Sequence, residues 1–555
     1  MTPLLNNTIK CEYPSVPQAT GIKLVAEKPS ADHPHGQNEL PSARTVGGTP
    51  VRRGVYGPGF YAAQKQTFGA LIALAAALVT SPVAAQETAG VAATSTSGAV
   101  IRGKAPVAKE LLKVKFPKPR QFTLKNGLSV FVLEDHRFPA ARFSLILRAG
   151  ALYEPKTGVA EFTASMLTEG AGNRSYLEFA GAAEDIGATV SAAAGAASTT
   201  ITASGLSEST DAMLALMRDA VLHPTFPADR LDRLKYLTVA QLAQRRTSPQ
   251  ALIADLSAKV YYGGTAYNKP AATADQINAL STDDLKAFYN AYYKPNGALL
   301  GVTGDVDAKA LRPKLEALFA DWKPGTDTAQ LPTADFKPSE ATKVYLIDRP
   351  GSAQTVLQFG NLSVRQSDPD YIPLVVANQV LGGGSSGRLF QNIRERKGYT
   401  YGAYSALSAS QWPGTWGASA SVRTPVTQPA TQEFFYEFNR LQDEPVSESE
   451  LARAKRSLIG SFARTLESPE NILARTLDRI QNNLPADYWD TYPARVQAVT
   501  PVDVQRVAQK YLGKNRIQLI AVGERKQIED GLKGFGPIEV IDAAPSSGGR
   551  GARRP

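Results

Sequence analysis

The chain has 555 residues, 43% of them hydrophobic and 20% charged, with a formal net charge of +10. That composition is globular and excludes a disordered or fibrous protein, while the length suggests three or four compact units at roughly 100 to 200 residues each. The single cysteine, Cys11, excludes an intramolecular disulfide framework and a thiolate metal cluster.

Residues 1–64 are rich in Pro and Gly without periodicity and read as a mis-assigned or disordered extension. No Met lies between Met1 and Met166, so a later start would use another codon, for instance at Val51 or Val55. Residues 65–85 hold Lys65, an almost wholly apolar run from Phe68 to Val79, and Ser81-Pro82-Val83-Ala84-Ala85. The run is too short for the roughly 20 residues of a membrane span, but it suits a secretory signal cut after Ala85. The alternative is an internal membrane anchor. The expectation is an exported protein, periplasmic in a bacterium, with no stable membrane insertion after signal removal. Without residues 1–85 the chain keeps 54 basic and 47 acidic side chains, a charge of +7. With no basic-aromatic cluster, nucleic acid is not expected as a partner.

Residues 86–110 form an Ala/Thr/Ser/Gly-rich linker, and ordered sequence begins near Leu111. Phe122 to Val132 reads as a hairpin in which Asn126-Gly127 suits a type I′ turn. A strand through Phe143 to Leu147 follows. Helices are expected from Val159 to Thr168 and from Tyr176 to Ile186, the second stopped by Gly187. Strands at Thr189–Ala193 and Thr199–Ala203 come next, then helices starting near Ser209, Pro227 and Pro249, with Pro227 in the first turn. Thr282 is expected to cap a further helix, and Ala298 to Thr303 closes with a strand. This succession is α+β and differs from a βαβ alternation.

After a Pro/Thr/Asp-rich connection at residues 323–343 the succession repeats. Thr247-Ser248-Pro249-Gln250-Ala251-Leu252-Ile253 is answered by Glu467-Ser468-Pro469-Glu470-Asn471-Ile472-Leu473. Leu280 to Leu285 is answered by Val499 to Val504, and Gly301 to Asp305 by Ala521 to Glu524. Self-similarity at this period means two copies of one fold: residues 111–322 and 344–540, followed by a disordered Gly/Ser/Arg tail at 541–555. Within the second copy, the glycine cluster Gly382-Gly383-Gly384 leads into an amphipathic helix, then Gly398 and an aromatic strand. The cluster is not a P-loop, because the Lys-Ser/Thr that follows one is missing.

Leu124-x-Asn126-Gly127-Leu128-x-Val130, Ala149-Gly150 with Glu154, Gly158-Val159-Ala160 before Phe162 and Met166, Asp348-Arg349-Pro350-Gly351 with Gln354, and the glycine cluster occur together in order. In this the chain resembles the inverzincins, the zinc metallopeptidases of the pitrilysin, insulinase and mitochondrial processing peptidase type, over roughly residues 115–525. The resemblance implies two tandem homologous domains in which a mixed or antiparallel sheet is packed with helices, closing as a clamshell. In that family a His-x-x-Glu-His helix binds zinc through two histidines one turn apart, and its Glu activates water. Here the pentad is Glu161-Phe162-Thr163-Ala164-Ser165, so the imidazoles and the base at Glu161, Ala164 and Ser165 are missing. The third ligand's position falls near Gln241, a neutral amide. His136 and His223 read as structural or surface histidines, so no metal or other cofactor is expected in this chain.

The family's Arg and Tyr, which hold the peptide backbone and the scissile carbonyl across the zinc site, match Arg394 and Tyr401. Loss of the zinc half beside retention of the substrate half implies the non-zinc subunit of a heterodimeric peptidase. Zinc then belongs to a homologous partner, peptides are the substrates, and no activity is expected of this chain alone. The alternative is a catalytically inert structural or peptide-binding subunit.

Overall fold

The computed structural model describes residues 114–326 and 329–541. The expected extension, signal segment and linker, and the expected tail beyond Ile541, lie outside the described residues. Two successive halves each build one six-stranded sheet with helices against it, so the expectation of two tandem α+β copies holds.

The first half runs β1 (Arg120–Thr123), β2 (Ser129–Glu134), β3 (Ala140–Leu147), α1 (Val159–Met166), the short pair β4 (Gly170–Ala171) and β5 (Arg174–Ser175), and α2 (Tyr176–Glu184). It continues with β6 (Thr189–Ala194), β7 (Thr199–Leu206), α3 (Thr210–Leu222), α4 (Ala228–Arg245), α5 (Pro249–Tyr262) and α6 (Ala274–Asn278). It closes with α7 (Thr282–Tyr292), β8 (Leu299–Gly304) and α8 (Ala308–Leu318). The second half runs β9 (Lys343–Asp348), β10 (Gln354–Leu362), α9 (Tyr371–Leu381), a π-helix (Phe390–Arg396), β11 (Thr400–Leu407) and β12 (Thr415–Arg423). Then come α10 (Thr427–Asp443), α11 (Glu448–Thr465), α12 (Pro469–Gln481), α13 (Tyr488–Ala498), α14 (Pro501–Tyr511), β13 (Gln518–Gly523), α15 (Arg525–Leu532) and β14 (Ile538–Ile541).

The sheet orders are β6-β7-β3-β8-β2-β1 and β11-β12-β10-β13-β9-β14, and their first five places correspond. The central pairs are antiparallel, but β2 runs parallel to β8 and β9 parallel to β13. The far edge departs from the repeat. β1 enters at the start of its half antiparallel to β2, whereas β14 arrives at the end of its half parallel to β9.

Repeated start signals produce repeated helices. Ser248 and Ser468 cap α5 and α12, each with Pro in the first turn. Ser281 with Asp284 and Thr500 with Asp503 form capping boxes on α7 and α14. The cap of α7 is therefore Ser281 and not Thr282, which is its first helical residue. Pro227 likewise stands at the N-cap of α4, one residue before its first turn.

The β1–β2 turn also departs from expectation. Gly127 has φ 92° while Asn126 is not in the left-handed region, so the turn is not type I′. Asn126 instead uses its side chain, donating to the Phe319 carbonyl at 3.0 Å and accepting from Leu128 N–H at 3.1 Å. A tertiary anchor thus decided the turn.

Each half has its own core, and one helix of each half packs on the sheet of the other. From α5, Ile253 and Leu256 cluster with Ile347, Ile520 and Val522 of the second sheet. From α12, Leu473 and Leu477 cluster with Phe131 and Leu299 of the first. Gly301 on β8 makes room for α12, since a Cβ there would lie 2.7 Å from Leu473 Cδ2. This exchange holds the halves as one body and seats α1 and the π-helix on fixed scaffolds.

Candidate functional site

In the first half the chain reaches α1 through Gly158, whose φ of 94° lies in the left-handed region. The Glu154 carboxylate, nearly enclosed, accepts N–H bonds from Gly158 at 3.1 Å and Ala160 at 3.2 Å, with Lys269 Nζ at 3.8 Å. Burial pushes the Glu154 carboxyl up, and these bonds and Lys269 oppose the rise. A carboxylate at a helix N-terminus is favourable, so Glu154 fixes where α1 starts.

Along α1, Phe162, Thr163, Ala164 and Met166 are buried, Ser165 is half-buried and Glu161 is exposed. The helix packs against β6, α7 and α4, and Gln241 is exposed on α4. Zinc needs imidazole, thiolate or carboxylate donors converging from several positions. Ala164 has no donor, Ser165 and Gln241 offer neutral oxygens, and Glu161 is a lone carboxylate. Among the described residues no three His, Cys, Asp or Glu side chains are grouped to hold a metal ion. The donor set does not fit zinc.

The second half is built for display. Gly382 ends α9, and a Cβ there would come within 2.6 Å of Ser405 N, so glycine lets the loop lie against β11. Ser405 N–H donates to the Gly382 carbonyl at 3.0 Å, and Ser405 Oγ to the Asn378 carbonyl at 3.1 Å. The following helix is a π-helix, which sequence periodicity did not foresee. Its wider turn is visible in the bond from Lys397 N–H to the Asn392 carbonyl at 3.0 Å. Such segments are rare and concentrate at functional sites.

Beneath it lies a polar network. Buried Asn392 donates from Nδ2 to Glu433 at 2.8 Å and to Glu437 at 3.0 Å, and Lys397 pairs with Glu433 at 2.7 Å. The Glu437 side chain is 0% exposed and lies 3.4 Å from Arg440 and 3.6 Å from Arg396. Burial raises the Glu437 carboxyl pKa, and the charges of Arg440, Arg388 and Arg396 oppose this. Glu433 and Glu437 stand four residues apart on α10, the one sequence signal that could have located the network.

Arg394 leaves the helix on the outer side. Its guanidinium sits 5.0 Å from the Phe390 ring centre and is paired with its exposed neighbour Glu395, a surface pair worth little. Gly398, at φ 64°, turns the chain into β11. There the β11–β12 register slips between Thr400 and Ala403. The Thr400 hydroxyl holds this bulge, donating to the Ser421 carbonyl at 2.7 Å and accepting from Gly402 N–H at 3.1 Å. A bulge re-aims side chains, and Tyr401 is 94% exposed. Tyr404, further along β11, packs on Phe390 with ring centres 5.5 Å apart. Arg394 and Tyr401 are thus carried by adjoining elements, with a phenol and a guanidinium facing outward and no bond between them. Thr400 and Asn392 were not singled out in the sequence, because their roles depend on pairing partners 21 and 41 residues away.

These features define a tandem α+β fold of two six-stranded sheets, with a donor-poor α1 in one half and an exposed guanidinium and phenol in the other. Residues 130–274 match the model of the insulinase family, peptidase family M16, and residues 279–458 match the peptidase M16 inactive domain. Together the two cover more than half of the sequence, and the chain belongs to the M16 family. An uncharacterized zinc protease of Streptomyces coelicolor is 26% identical over 414 residues, spanning 73% of this chain and 90% of its own length. A crystal structure of a peptidase M16 inactive domain from Pseudomonas fluorescens matches with a TM-score of 0.67 at 26% identity, covering 73% of this chain and 98% of that one. A protease from Helicobacter pylori matches in fold, with a TM-score of 0.68 at 19% identity over 74% of this chain and all of its own.

Proposed function

We propose that this protein is the non-zinc subunit of an exported two-chain zinc metallopeptidase. It pairs with a homologous chain carrying the His-x-x-Glu-His helix, and Arg394 and Tyr401 reach that partner's zinc site. The observation that carries the reading is the contrast between α1, which lacks metal donors, and an outward Arg394 and Tyr401 on an ordered π-helix and a bulged strand. Guanidinium offers fixed N–H donors and phenol a neutral O–H, both suited to an oxygen on which negative charge develops. β11 is also an edge strand, so its free backbone can take an extended peptide beside Tyr401. Export is supported by the sequence of residues 65–85, and no helix among the described residues is long and apolar enough to cross a membrane.

Alone, the protein binds no stoichiometric zinc and hydrolyses nothing. Mixed with its zinc-bearing homologue it gives a peptidase acting on short or unfolded peptides. Arg394→Ala lowers kcat by about 100- to 1,000-fold, the loss seen when one oxyanion donor is removed, while complex formation on a sizing column is unchanged. An unaltered kcat assigns the chain to an inert structural or peptide-holding role instead.

A further inference from the structure

We propose that the second half also binds a small phosphate-bearing anion, in a pocket between the π-helix, α10 and the beginning of α11. This site is separate from Arg394, which does not line it. The inference therefore stands or falls independently of the subunit role.

The pocket has a volume of about 260 Å³ and four guanidinium groups on its wall, from Arg388, Arg396, Arg440 and Arg453. Arg388 is the decisive residue. Its side chain is 5% exposed, and its Nε and Nη2 form a two-pronged bond to Glu450 at 2.8 and 2.9 Å. The remaining nitrogen, Nη1, is buried without a hydrogen-bond partner. Unmet donors on a buried cation are costly, and such groups are rare unless a ligand or ion completes them.

The other three arginines reinforce the demand for an anion. The Arg453 side chain is exposed and makes no hydrogen bond or ion pair among the described residues. Arg396 uses Nε on the Gln391 carbonyl at 3.3 Å and stands 3.6 Å from Glu437, at the outer limit of an ion pair. Arg440 is matched by Glu437 and Glu444. Glu433, Glu437, Glu444 and Glu450 adjoin these guanidiniums, but Glu433 is met by Lys397, Glu437 is fully enclosed, and Glu450 is already committed to Arg388. The surplus positive charge faces the pocket.

Ser386 and Ser449 add hydroxyl groups to the same wall. Converging guanidiniums with hydroxyl donors suit a tetrahedral oxyanion, whose several oxygens can accept from different directions at once. A lone carboxylate has fewer directions to offer, and Glu450 already plays that part. The volume lies below the roughly 300–1,000 Å³ of sites for drug-sized ligands. A phosphomonoester or inorganic phosphate fits this size class better than a nucleotide.

The test is calorimetric titration of the full chain with inorganic phosphate at fixed ionic strength, with acetate as the comparison anion. The expected result is saturable binding of one phosphate per chain and none of acetate. Arg453→Ala, which removes an unpaired exposed side chain and leaves the fold intact, weakens phosphate binding by about tenfold or more. Arg394→Ala leaves it unchanged. Absence of saturable phosphate binding overturns the proposal, as does acetate binding equally well or Arg453→Ala binding like the wild type. Vesicles containing phosphatidic acid supply the same chemistry from a membrane. Capture by those vesicles without binding of free phosphate also overturns the small-ligand site.

Discussion

α1 and the π-helix each pack against an edge strand, β6 in one half and β11 in the other, although in the order of the repeat α1 answers α9 and the π-helix answers α2. Their interiors differ. α1 is held by apolar packing and by Glu154 at its N-terminus, and Phe162, Ala164 and Met166 suffice to seat it. The π-helix is held by Asn392, Glu433, Glu437 and Lys397, a network of charges and amides that must be complete to be tolerated. The contrast teaches that a helix in this fold keeps its place without metal donors, because packing and chemistry reside on different residues. The π-helix keeps an expensive polar foundation, and that foundation fixes the exit direction of Arg394.

The contrast is broken most severely at Glu437. Glu437→Ala takes one acceptor from buried Asn392 and a counter-charge from Arg440 and Arg396, and should cost about 3 kcal/mol, the lower end for removing one partner of a buried pair, because both arginines are a third or more exposed. Thermal or urea unfolding measures this, and a loss below about 1 kcal/mol would show that the network is not a foundation. The exchanged helices come next. Leu473→Ala on α12 and Leu256→Ala on α5 should each cost about 2–5 kcal/mol, with similar values for both if the halves brace each other reciprocally. A large cost for one and none for the other would break the symmetry.

A smaller effect concerns pH. Burial alone would raise the Asp370 carboxyl, but hydrogen bonds from Lys510, Arg506 and Tyr511 outweigh it and hold the pKa down at about 2. A depressed carboxyl stabilises the fold above its unfolded pKa, and that contribution is lost as pH falls from about 4 towards 2. Because Arg506 and Lys510 are about half exposed, screening reduces the contribution to the order of 1–2 kcal/mol. Asp370→Asn should flatten the unfolding profile in that window, and an unchanged profile would remove Asp370 as the tie between α9 and α14. The smallest effect belongs to the emptied helix. Ser165→Ala and Glu161→Ala should each change stability by no more than about 0.5 kcal/mol and leave the activity of the mixed complex unaltered. A clear loss of activity in either variant would return a chemical role to α1.

The duplication was readable because its signals are local. Ser-Pro starts, capping boxes and the apolar β8 and β13 strands recur at one spacing, and each dictates its own element. What sequence did not disclose depends on distant partners. The Asn126 turn is set by the Phe319 carbonyl, the π-helix by carboxylates on α10, and the exposure of Tyr401 by a bulge tied to Ser421 on the neighbouring strand. The swap of edge strands, β14 standing where β1 stands in the first half, was equally hidden, since Ile538–Ile541 carries no turn or cap marking it as a partner of β9. At the candidate site the residue types were legible in Glu161, Ala164, Ser165, Gln241, Arg394 and Tyr401. Their exposure and support were not, because both follow from packing across the half.

The most direct test of the central claim is purification of the protein from its native source, followed by identification of what accompanies it and by metal analysis. The account predicts a second M16 chain bearing His-x-x-Glu-His, with about one zinc ion per pair that is lost when that partner is removed. Recovery of this chain alone with its own tightly held zinc, or in a complex free of any zinc-bearing homologue, would contradict it.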